Sequence, residues 1–220
     1  MKNQRIILAV VVTVATVWVC AMAQEKPAED PYVLAAIARA KAEVAIRDSG
    51  PITDTSRNGF NNVWQETDEV WGKIWDRLGK ARDAESRKDE YARNQQFIDE
   101  CNTKLDTLNR EWQSFNQKER QELGREMQDA INEFNNLSQA FASLSGQEQY
   151  YKNAKLDLLQ VITMYNNIEK KIIETRNRIN ATIAKAKEFY QKWEKVRANV
   201  EEFLTKAGYA PQQPASGKTP

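Results

Sequence analysis

From Tyr151 to Ala207 the chain steps by three and four residues without a break. The positions are Tyr151, Ala154, Leu158, Val161, Tyr165, Ile168, Ile172, Thr175, Ile179, Thr182, Ala186, Phe189, Trp193, Val196, Val200, Phe203 and Ala207, and none is charged. That is a repeat of 3.5 residues sustained over about eight heptads, the spacing of a helix that offers one seam to a helical partner. A helix of that span is about 85 Å long at 1.5 Å per residue. Leu159, Ile162, Ile173 and Ile183 lie beside the seam and widen it, which suits a packed bundle better than a bare two-stranded coil.

The same repeat runs through Ile98, Cys101, Leu105, Leu108, Trp112 and Phe115, then through Leu123, Met127, Ala130, Phe134, Leu137, Phe141 and Leu144. Phe115 to Leu123 is one residue too long for a heptad, so the spacing predicts a stutter through Glu119; a turn near Asn116 is the alternative. Ser145-Gly146-Gln147-Glu148 matches the S-x-x-E capping box that starts a helix. Two arms of similar length flanking it predict an antiparallel hairpin over 97–207 with its turn near 143–147. The competing expectation is one helix from 123 to 207, because the seam stays in phase across Ser145.

Upstream, Asp30-Pro31 reads as a helix start, with Val33/Leu34, Ile37, Lys41 and Val44 marking an amphipathic face. Ser49-Gly50-Pro51 predicts its end, which makes 24–51 a leader and short helix, with a linker to Asn58. Residues 52–96 are expected to hold a tryptophan-rich helix followed by a polar stretch, Gly79 to Gln96, that is either a solvated helix or a hinge. Trp64, Trp71 and Trp75 are the candidate interaction surface; packing against another helix is the other reading of their helical spacing. The tail, 208–220, has three prolines and no apolar run and is expected to be disordered.

Residues 1–23 have the three parts of a secretory signal peptide: Lys2 and Arg5, the apolar run Ile6 to Val19, and Ala21-Met22-Ala23 as a cleavage site. The expected location is therefore periplasmic or extracellular, with a membrane anchor at residues 6–22 as the alternative. Removing Lys2 and Arg5 takes 32 basic residues to 30 against 31 acidic, a net charge of −1. A near-neutral chain has no basic field to collect nucleic acid. Histidine is absent, which excludes Ser–His and Cys–His nucleophile pairs and imidazole metal sites. Carboxylates are spread over solvated faces, and no Gly-rich phosphate cradle occurs.

Cys20 and Cys101 are the only cysteines, so no disulfide framework exists. Cys101 falls on a seam. There it is either a small buried hydrophobe or, in a parallel homodimer, a candidate for an interchain disulfide.

These features predict an all-α fold: an elongated antiparallel helical hairpin or coiled coil of long helices, with a short N-terminal helix and a disordered C-terminal tail. The expected role is that of an exported, non-enzymatic structural or scaffolding component of the cell envelope or exterior. It would work without cofactor or metal, through a protein partner or self-association by helix packing. The long arms resemble those of periplasmic chaperones with coiled-coil arms in general form, without a shared motif. That resemblance implies the alternative role, a holdase-like chaperone or ligand-binding coiled coil.

Overall fold

The computed structural model describes residues 30–88, 91–146 and 158–209. Residues 1–29, which include the expected signal peptide, and residues 89–90, 147–157 and 210–220 lie outside the described residues. Within them the protein is helical, with no strand. Helix α1 spans Pro31–Ser86 and α2 spans Tyr91–Phe115. A single π-helical turn, Asn116–Arg120, joins α2 to α3, which spans Gln121–Gly146. Helix α4 spans Leu158–Lys206.

Asp30 caps α1, its Oδ1 accepting from the Tyr32 N–H at 2.9 Å, and Pro31 takes the first position, where its missing N–H costs nothing. The expected break at Ser49-Gly50-Pro51 is not there. Helix α1 runs through Pro51, and the short helix, the linker and the tryptophan helix are one element. The buried positions explain it. Ala38, Ala42, Ser49, Thr53, Ser56, Phe60, Val63, Thr67, Val70, Ile74, Leu78, Ala81 and Glu85 form one stripe that crosses Pro51 in phase. Packing along that stripe overrides the local penalty of proline, about 3 kcal/mol in a helix interior. Three stripe members near the proline are hydroxyl residues, which give no apolar signal in the sequence. Thr53 Oγ1 is satisfied within the helix by donating to the Ser49 carbonyl at 2.9 Å, and further along the stripe Thr67 Oγ1 donates to the Val63 carbonyl at 2.6 Å.

The polar stretch divides. Its first part completes α1 to Ser86, and a turn follows at Arg87-Lys88 before α2. The stutter takes the form of the π turn, which absorbs the extra residue between Phe115 and Leu123 without ending the helix. It also aims Arg120 at α1. Arg120 donates to Asp68 through Nη1 at 2.7 Å and Nη2 at 3.0 Å, and its guanidinium lies over the Trp64 ring at 5.4 Å.

Contacts between helices fix the directions. Glu133 meets Arg178 at 2.7 Å and Glu126 meets Lys185 at 3.4 Å, so α3 and α4 run antiparallel. A single straight helix over 123–207 would hold those partners tens of ångströms apart. Residues 143–146 belong to α3, so the turn expected near 143–147 is not found there, and residue 147 lies outside the described residues. Arg77 holds Glu201 through two hydrogen bonds of 3.1 and 3.2 Å, while Ala38 and Ala42 share a core with Tyr165 and Ile168, so α1 runs parallel to α4. The longest contact of the α4 seam is thus with α1, and the α2–α3 arm packs on the pair.

The core has two parts. One collects the aromatic residues of α1, α2 and the second half of α4. The other joins Ala38 and Ala42 of α1 to Phe134 and Leu144 of α3 and to Val161, Tyr165, Ile168 and Ile172 of α4.

Candidate functional site: the aromatic core and the exposed apolar row

Trp71 stacks on Trp112 with centroids 4.8 Å apart and planes 5° from parallel. Trp193 meets both rings edge-on, at 5.0 Å from Trp112 and 5.6 Å from Trp71. Phe115 touches Trp112, Trp193 and Trp64, and Phe60 closes the far side of Trp64 edge-on at 5.3 Å. Three helices meet here because their seam positions coincide in height. Offset stacks and edge contacts are the favoured aromatic geometries, each about 0.5–1.5 kcal/mol beyond burial.

The structure therefore places Trp64 in the core and Trp71 half-buried against it. Of the three tryptophans expected to form an interaction surface, Trp75 alone is exposed, at 42%, and it leans on Trp71 at 5.5 Å. Trp112 and Trp193, which the sequence marks only as seam members, complete the cluster. Trp193 is 1% exposed, and its indole N–H has no hydrogen-bond acceptor. Cys101 is a free thiol with no exposed surface, on the α2 seam facing the aromatic core. Burial, and then the neighbouring Glu100 charge, push its pKa up to about 11. A disulfide to a second chain would require it to leave that core.

At the end of α4, Gly208 adopts φ +87°, and the Tyr209 N–H bonds back to the Leu204 carbonyl at 2.9 Å while Gly208 N–H bonds to the Thr205 carbonyl at 3.0 Å. This left-handed helix end turns Tyr209 onto α1. The first tail residues are thus packed: the Tyr209 ring stacks on Phe97, which stacks on Phe203, and Lys88 and Lys104 cover the two outer rings. Glu85 is held below the usual carboxylate range by its hydrogen bonds from Lys88 and Tyr209. The Tyr209 hydroxyl is pushed up, by burial and then by Glu85.

The N-terminal third of α1 reverses the expected orientation. Its core side is alanine, Ala38 and Ala42. Val33, Ile37 and Val44, the larger members of the predicted amphipathic face, are 51, 45 and 42% exposed. With Ala40 they form a second row at steps of four, three and four. Alanine on the inner face lets α1 come close to the large seam residues Tyr165, Ile168 and Ile172. Leu159 and Met164 of α4 are exposed at the same end of the molecule.

No group of three or more metal-ligating side chains lies together among the described residues, and none of their helices is long and apolar enough to cross a membrane. No family model matches the chain, and no curated protein or solved structure matches it.

Proposed function

We propose that this is an exported protein without catalytic activity. In this reading it is a structural or scaffolding component of the cell envelope or exterior that engages a protein partner, or a second copy of itself, by helix packing. The reading includes the finer architecture: residues 97–146 and 158–206 form a coiled-coil hairpin, with α1 laid along it. The observation that carries it is the row Val33, Ile37, Ala40 and Val44, apolar, solvent-facing and at coiled-coil spacing on one end of a long helix. The signal-like N-terminus supports export. The aromatic cluster supports a packing role for most of the tryptophans, since their faces are occupied by one another.

Expression from the native start in a secreting host tests export. Mass spectrometry of the mature N-terminus is expected to read Gln24, and an intact Met1 or Lys2 start in the secreted fraction would sink the idea. Small-angle scattering with absolute mass on the same material tests the hairpin, which predicts a rod close to the length of α1, about 84 Å. The holdase reading draws on the apolar groove between α3 and α4 lined by Leu137, Leu144, Met164 and Ile168. It requires the mature protein to slow aggregation of an unfolded client.

A further inference from the structure

We propose that residues 31–50 of α1 form a strap, hinged at Gly50-Pro51, that lifts as a unit from α4.

Several separate observations converge on the hinge. Pro51 takes away the N–H that would bond the Arg47 carbonyl, and Gly50 beside it has no side chain to pack. The core is interrupted at the same height. Ser49, Thr53 and Ser56 of α1 and Thr175 of α4 fill the gap between the two hydrophobic clusters. The Ser49 hydroxyl is fully buried and has no hydrogen-bond partner, so lifting the strap releases its desolvation cost. Beyond the hinge the strap is lightly held: its fully buried apolar side chains are Ala38 and Ala42, with Ala45 and Ile46 partly buried against the same core. Below the hinge the same helix buries Phe60, Trp64, Ile74 and Leu78. Apolar burial scales with area, so strong attachment begins at Phe60, and Pro51 lies inside the weakly held stretch before it.

The uncovered surface would be the α4 seam Val161, Tyr165, Ile168 and Ile172, now buried. The strap itself is tested without reference to export or partner.

Hydrogen exchange on the whole chain, read by mass spectrometry of peptides from α1, is the experiment. Amides over 31–49 are expected to exchange together, on the order of 100-fold faster than those over 60–85, with a step at Pro51. Pro51→Ala combined with Ser49→Ala restores the helix bond and removes the orphan hydroxyl. It is expected to shrink that step by about tenfold. Three results would overturn the proposal. Protection could be equal on both sides of Pro51. It could decline smoothly towards Asp30, which is fraying of a free end. Or the step could survive the double substitution unchanged.

Discussion

The Tyr209 hydroxyl donates to the Glu85 carboxylate at 2.6 Å and also lies 3.1 Å from the Ala81 carbonyl. A residue three beyond the end of α4 thereby closes on the last turns of α1, across 124 positions of sequence. Lys88 reaches the same Glu85 oxygen from the turn that follows. Three parts of the chain are joined by one carboxylate.

That arrangement has a pH signature. Glu85 is lowered in the folded protein, so its contribution is complete above the ordinary carboxylate value of about 4.3 and is lost as pH falls through its own lower value. Tyr209 is raised, so its contribution is complete below about pH 10 and is lost as pH rises through the folded value. Tyr209→Phe is expected to cost about 1–3 kcal/mol at neutral pH, since it strips a buried acid of one donor. Thermal melts across pH should show Glu85→Gln flattening the acid limb. An acid limb that is unchanged in that variant would refute the account.

Trp193→Ala is expected to destabilise by about 3–5 kcal/mol, the range for emptying a large aromatic from a core. Trp75→Ala should cost under about 1 kcal/mol, because much of that ring already meets water. Urea unfolding followed by circular dichroism measures both. Equal costs would mean the cluster is not the packing centre described above.

Cys101 should resist a thiol reagent at pH 8 in the native protein and react fully after unfolding. Burial and a pKa pushed up to about 11 both keep the thiolate scarce and out of reach. Rapid native labelling with helix content intact, or a reducible dimer through this residue, would contradict its placement.

Pro51→Ala alone should raise stability by about 2 kcal/mol, since it restores a backbone bond in a helix that already continues through the site. The same change in a genuine linker would alter stability little or reduce it. Denaturant midpoints at constant m-value separate the two cases.

The seams of α2, α3 and α4 were legible because large apolar residues mark nearly every turn. Glu119 could be placed in a stutter by counting alone. The middle of α1 was not legible, because Ser49, Thr53 and Ser56 occupy seam positions with hydroxyls and Gly50-Pro51 carries the local grammar of a helix end. The orientation of the first third was misleading for a related reason. Val33, Ile37 and Val44 are the residues a sequence argument buries, and the close approach of α4 selects the alanines beside them.

Local spacing and composition determined that this chain is helical, where its longest seams run and that no imidazole chemistry is available to it. Only the tertiary structure decided that α1 is a single helix and the principal cover of the α4 seam, and which tryptophans face one another. The cause is distance along the chain: helical period is written within a few residues, whereas partner choice and proline tolerance come from contacts between segments tens to more than a hundred residues apart.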